Sequence, residues 1–230
     1  MTIAKIQAGS LKAVVFDAYG TLVDVHGIAV AADRLFDGFG ARISILWREK
    51  QIEYTRLRTM SGKHASFAEV TRQSLRFACS SLALSLTHQM EQELMSAYLH
   101  LPAWPEARSA LIALRDRGLR LSILSNGDPD ALDQLVRNAG LADLIEVVLS
   151  AQSVRKYKTA PEVYELGPHH FNCHANELLF VSSNGWDACG AAWFGYTTCW
   201  VNRACAVPEQ LDAPVQFTAD NLSDLNSLFA

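Results

Sequence analysis

The sequence predicts an α/β protein built on a parallel, Rossmann-like sheet, with a helical subdomain inserted after the first strand. Two observations carry this. Short apolar runs rich in β-branched residues alternate with helical patterns through much of the chain. From residue 24 to 101 the alternation stops and only helical patterns remain.

Residues 12–17 form the first run, a continuous apolar stretch with Asp17 at its tip, as expected of a strand buried on both faces. LRLSILSN (119–126), ELLFVSSN (177–184) and YTTCWVN (196–202) read the same way, with a shorter IEVVLS at 145–150. Between them, PEARSALIALRDRG (105–118) opens near a proline and closes on glycine. DPDALDQLVRNAG (128–140) begins with Asp128 as an N-cap and also ends in glycine. Strands and helices joined by short links imply a parallel sheet with right-handed crossovers.

The segment 24–101 holds four helical stretches: 28–39, 44–60, 67–82 and 88–101. That is too much helix for one crossover. The expected division is therefore a core of residues 1–23 and 102–230, with 24–101 as a helical cap subdomain. ELGPHHFNCH (165–174) fits a helix poorly, because Pro168 interrupts it.

Composition narrows the partners. A net charge of -4 without a basic stripe argues against nucleic acid. The first twelve residues contain no apolar run of signal-peptide length. The charge-free stretch 188–202 is shorter than the ~20 residues of a membrane span. A cytoplasmic protein with no membrane partner is expected. Five cysteines without CxxC spacing read as free, mostly buried thiols, and the cluster His169–His174 as a solvated helix end.

In an open parallel sheet, ligands bind beyond the carboxyl ends of the strands. Those ends carry Asp17, Ser125-Asn126 and Ser182-Ser183-Asn184, with Lys158 before a later helix and Asp187 opening the helix after SSN. Each alone is an ordinary cap or turn residue. Together they point to a site.

These residues carry a resemblance. Asp17-Ala18-Tyr19-Gly20-Thr21-Leu22, Trp47-Arg48 with Gln51, Glu53 and Tyr54, Ser125-Asn126-Gly127, Lys158 and Ser182-Ser183-Asn184-Gly185-Trp186-Asp187 resemble the motifs of the L-2-haloacid dehalogenases, in the haloacid dehalogenase superfamily. The match spans about 12 to 203. It implies hydrolytic dehalogenation of (S)-2-haloalkanoic acids to (R)-2-hydroxy acids, with the parallel core and cap of that superfamily. Asp17 would attack the α-carbon to give an ester that water then hydrolyses.

The resemblance also distributes roles. Thr21 would orient Asp17, and Lys158 would neutralise it beside Asp187. Unopposed, two like charges about 4 Å apart repel by about 4 kcal/mol at an effective dielectric of 20. Arg48 and Asn126 would assist halide departure. Ser125 and backbone N–H groups at Ala18 and beyond would hold the substrate carboxylate. Ser182, Asn184 and Asp187 would place and activate the water. Tyr19, Phe67 and Trp186 would wall the pocket, with Tyr164 supporting.

Position 19 holds a tyrosine, not a second carboxylate. Phosphate-ester hydrolysis profits from a general acid, because the departing alkoxide is a strong base. Halide leaves as a stable anion and needs no proton, so a tyrosine fits where a second carboxylate would repel an anionic substrate. The resemblance implies no cofactor and no metal requirement, a halide ion as co-product, and a homodimer. Two rivals are a magnesium-dependent phosphatase and a non-catalytic binding protein on the same scaffold.

Overall fold

The computed structural model describes residues 5–7 and 9–230. The N-terminal stretch inspected for a leader lies partly outside them. In chain order the elements are β1 (Ala13–Phe16), α1 (Gly27–Leu35), α2 (Gly40–Ser61), α3 (Phe67–Ser81), α4 (His88–Ala97), α5 (Ala107–Asp116), β2 (Arg120–Ser125), α6 (Pro129–Asn138), β3 (Val147–Ser150), α7 (Pro161–Tyr164), α8 (Leu166–Phe171), β4 (Leu178–Ser182), α9 (Gly185–Phe194), β5 (Thr197–Val201) and β6 (Phe217–Ala219). The six strands among the described residues all pair in parallel, in the order β3-β2-β1-β4-β5-β6.

This order explains where the polar strand ends meet. β1 is central, fully buried, and flanked by β2 and β4. Phe16 lies opposite Ile123 on one side and Val181 on the other. Asp17 therefore leaves the sheet beside Ser125 and Ser182.

One strand differs from expectation and one is additional. The run at 145–150 is no buried strand. β3 forms one edge of the sheet, and three of its four residues are half-buried. β6 escaped notice because three residues after the proline-bearing loop 202–216 carry no period.

The chain leaves β1 and returns along adjacent paths. Asp24 N–H donates to the Pro102 carbonyl at 2.8 Å, and Trp104 N–H to the Leu22 carbonyl at 3.0 Å. Between these tethers lie α1 to α4, with Ile28, Ile43, Trp47, Leu75 and Leu94 buried among them.

Asp128 does not cap its own helix. It occupies the N-cap position of α6, but its side chain makes no capping bond there. Instead its carboxylate accepts the N–H groups of Phe67 (2.9 Å) and Ala68 (2.8 Å), the first two residues of α3. Ser66 takes the third, from Glu69 at 3.2 Å. The early N–H groups of a helix lack internal partners and favour an anion, so the carboxylate fastens the start of α3 to the start of α6. Asp128→Ala is expected to cost about 1–2 kcal/mol, as for other lost caps. The measurement is the urea midpoint at unchanged slope; an unmoved midpoint would refute the fastening.

Pro168 acts as its chemistry requires. The helical path breaks at Glu165, between α7 and α8. Proline has no N–H to offer the Tyr164 carbonyl four residues back, and Tyr196 Oη donates to that carbonyl at 2.6 Å instead. A Cβ on Gly167 would stand 2.2 Å from the same hydroxyl, so glycine is what admits it. His169 and His170 occupy the last turn of α8. The cysteines are free thiols, three of them buried.

Candidate active site

The loop after β1 folds back at once. Gly20 adopts φ +86°, a conformation that glycine enters without steric penalty. The Thr21, Leu22 and Val23 N–H groups all point to the Ala18 carbonyl. This returns the Thr21 hydroxyl to Asp17, to which it donates at Oδ2 over 3.0 Å, while it accepts Ser183 N–H at 2.8 Å. Asn184 Nδ2 donates to the same Asp17 oxygen at 3.0 Å.

The other oxygen of Asp17 meets a buried cation. Lys158 Nζ lies 3.0 Å from Asp17 Oδ1 and 2.8 Å from Asp187 Oδ2. The lysine side chain is 1% exposed and Asp187 is fully buried. Its backbone N–H donates to Asn126 Oδ1 at 2.9 Å, which fixes the loop before α7 against the end of β2. Burial alone would lower the ammonium's pKa, but Asp17 and Asp187 more than offset it and hold it above its ordinary 10.5. Lys158 is therefore charged throughout the ordinary pH range.

Asp187 sits in the first turn of α9 with both carboxylate oxygens hydrogen-bonded, Oδ2 twice and Oδ1 once. Ser182 Oγ donates to Oδ2 at 3.0 Å and Tyr164 Oη to Oδ1 at 2.7 Å. Burial raises its carboxyl pKa, the Lys158 charge opposes that, and Asp17 adds to it. The net direction is upward.

From above, α2 supplies Arg48. Its Nη2 lies 3.4 Å from Asn184 Oδ1, and its Nη1 donates to Gln51 Oε1 at 2.8 Å. Gln51 is fully buried and passes the chain on, through Nε2 to Thr71 Oγ1 (2.7 Å), which donates to the Phe67 carbonyl (2.7 Å). Gln51 stood in the recognised motif without an assigned role. Its place three residues after Arg48 on one helix is the signal that could have found it.

These groups enclose a small cavity of about 20 Å³, lined by Asp17, Tyr19, Arg48, Ser125, Lys158 and Trp186 among others. Phe67 and Asn126 also face it. The Tyr19 ring stacks on Phe67 with centroids 5.7 Å apart. Burial, followed by the neighbouring Tyr98 and Asp128, pushes the Tyr19 phenol upward, so it stays neutral. Ser125 is fully buried and its Oγ accepts Gly127 N–H at 3.2 Å, leaving its own proton free. Among the described residues, the backbone N–H groups of Ala18, Tyr19 and Asn126 have no acceptor. The site thus brings anion-binding donors together with a carboxylate backed by a cation. Among the described residues no three His, Cys, Asp or Glu side chains group as metal ligands. The ammonium of Lys158 takes the position between the two carboxylates.

Such a site suits nucleophilic attack by a carboxylate on an anionic substrate, and the comparisons agree. Residues 11–195 match the model of the haloacid dehalogenase-like hydrolases. An (S)-2-haloacid dehalogenase from Pseudomonas sp. (strain YL) is 42% identical, with 95% of this chain and 94% of that protein aligned. The crystal structure of an L-2-haloacid dehalogenase superposes with a TM-score of 0.93 at 48% identity, over 94% of this chain and 97% of that one. The L-2-haloacid dehalogenase of Xanthobacter autotrophicus, solved with chloropropionic acid covalently bound, gives a TM-score of 0.89 at 36% identity, over 95% and 98% of the two chains.

Proposed function

The chain belongs to the (S)-2-haloacid dehalogenases of the haloacid dehalogenase-like hydrolase family, and from that premise we propose how its own residues displace halide. The enzyme is a hydrolase acting on carbon–halide bonds. It converts an (S)-2-haloalkanoate and water into the (R)-2-hydroxyalkanoate, halide and a proton.

The substrate carboxylate binds the Ser125 hydroxyl and the free N–H groups of Ala18, Tyr19 and Asn126. Asp17 Oδ2 already accepts two hydrogen bonds and Oδ1 only that of Lys158, so Oδ1 is the attacking oxygen. It displaces halide from the α-carbon with one inversion and forms an aspartyl ester. Lys158 offsets the repulsion between the two anions. Arg48 and Asn126 Nδ2 receive the departing halide; a guanidinium stays charged and is weakly hydrated, which suits a soft anion.

Water held near Ser182 and Asn184 then attacks the Asp17 side-chain carbonyl carbon. Asp187, whose carboxyl burial holds above the ordinary range, takes the proton. The acyl–oxygen bond breaks, the hydroxy acid departs, and Asp17 is restored. Tyr19, Phe67 and Trp186 form the walls, and Tyr164 fixes Asp187. We read residues 24–101 as the cap over this site, the working form as a homodimer, and the compartment as the cytoplasm. No helix among the described residues is long and apolar enough to cross a membrane.

The observation that most supports this route is the pairing of Asp17 with a buried lysine where the position two residues on holds neutral Tyr19. That combination serves a leaving group that needs no proton. Incubation with (S)- and (R)-2-chloropropionate, each with EDTA, tests it. Chloride and (R)-lactate from the (S)-acid alone are expected; chloride from neither acid would overturn the assignment.

A further inference from the structure

Beside the reaction cavity lies a second, far larger one of about 420 Å³, between α3 and α4 of the inserted segment and α6 of the core. Its lining is mainly apolar, including Ala68, Met95, Tyr98, Leu99 and Ala131, with His88, Arg72 and Glu91 among its polar members. Of the residues lining either cavity, two line both: Tyr19 and Phe67. They are stacked 5.7 Å apart at an interplanar angle of 30°. The two rings are a wall between the cavities.

That wall is held from both sides. The Phe67 N–H is fixed by Asp128, itself part of the larger cavity's lining, and its carbonyl by Thr71, which leads through Gln51 to Arg48. Tyr98 packs edge-on against Tyr19 at 5.9 Å. On the reaction side the free volume is about 20 Å³, little more than one water requires. On the other side stands room for a whole alkyl chain along a mainly apolar lining.

We propose that the Tyr19–Phe67 wall sets the chain-length limit of the substrate, and that the cavity behind it is a latent binding site for the alkyl tail of longer 2-haloalkanoates. The wall closed, the enzyme selects the shortest acids. With Phe67 trimmed, the tail passes into the second cavity while the carboxylate and α-carbon keep their places. This rests on the dehalogenase reading above. Each methylene taken out of water there raises relative turnover by about fourfold.

The test compares kcat/KM for (S)-2-chloropropionate and (S)-2-chlorohexanoate in the wild type, Phe67→Ala and Phe67→Leu. The wild type should favour the short acid. Phe67→Ala should shift the ratio toward the long acid by at least about tenfold, and Phe67→Leu by less. Filling the cavity from the far side with Ala131→Phe should cancel the shift in the Phe67→Ala background and leave short-acid turnover unchanged in the wild type. A general loosening of the site would survive that filling. An unchanged ratio in both folded Phe67 variants, a shift that survives Ala131→Phe, or a wild type that already prefers the long acid would overturn the proposal. Wild type inert toward both acids would instead overturn the dehalogenase reading.

Discussion

Asp17→Asn is expected to abolish halide release from (S)-2-haloacids, a loss of at least about 10⁴-fold, the scale on which removal of a covalent nucleophile acts. The amide keeps the shape of the carboxylate. Its one oxygen can still accept from Lys158, 3.0 Å from Oδ1, while the NH2 in the place of Oδ2 can donate to the Thr21 hydroxyl 3.0 Å away. The fold and substrate affinity should therefore persist while chemistry stops. Steady-state chloride release beside binding of the unreacted substrate separates the two. A variant retaining a tenth of the activity would mean that another group attacks the carbon.

Lys158→Met should be nearly as inactive, and it should also unfold more easily. The ammonium is buried between two carboxylates, one of them with no exposed surface. Removing one partner from such an arrangement leaves an uncompensated buried charge and costs about 3–5 kcal/mol. The penalty should depend on pH with a defined sign. Burial already raises the Asp187 carboxyl above its ordinary 3.8, and Lys158 is the main opposing influence. Without Lys158 the upward shift grows. A carboxyl whose folded pKa exceeds its unfolded one binds more protons when folded, so stability increases as pH falls between the two values. Denaturant midpoints should accordingly show the deficit full at pH 8 and shrinking toward acid, as Asp187 becomes protonated. A deficit constant with pH would contradict the charge argument.

The sheet was legible because its strands are buried on both faces, which writes them as continuous apolar runs. β1 and β4, fully buried, are the clearest cases. The edge strands were weaker, since β3 is half exposed and β6 is three residues long. The helices α1 to α4 were legible because residues 24–101 hold no strand-like apolar run. Their attachment was not, because it depends on Asp128 serving a helix remote in sequence, while the DPDAL pattern reads as a cap for the helix that follows.

The site divides in the same way. Asp17 and the polar strand ends follow from fold class, since parallel strands deliver their last residues to one edge. Lys158 does not. Nothing in a loop lysine signals 1% exposure, and only its place in a recognised motif singled it out. Gln51 lay between these extremes, with the right helical spacing but no reason in the sequence to be buried. The stacking of Tyr19 on Phe67 joins residues from β1's loop and from α3, and only the folded chain brings them together.

The central claim is that Asp17 becomes an ester and that water then attacks Asp17 rather than the substrate. A single turnover in H₂¹⁸O, with enzyme in excess over (S)-2-chloropropionate, tests this directly. The account predicts unlabelled lactate and one ¹⁸O in the peptide bearing Asp17, because the oxygen delivered to the product comes from the carboxylate. Labelled lactate with an unlabelled Asp17 peptide would contradict it, and would make Asp17 a base that activates water for direct displacement.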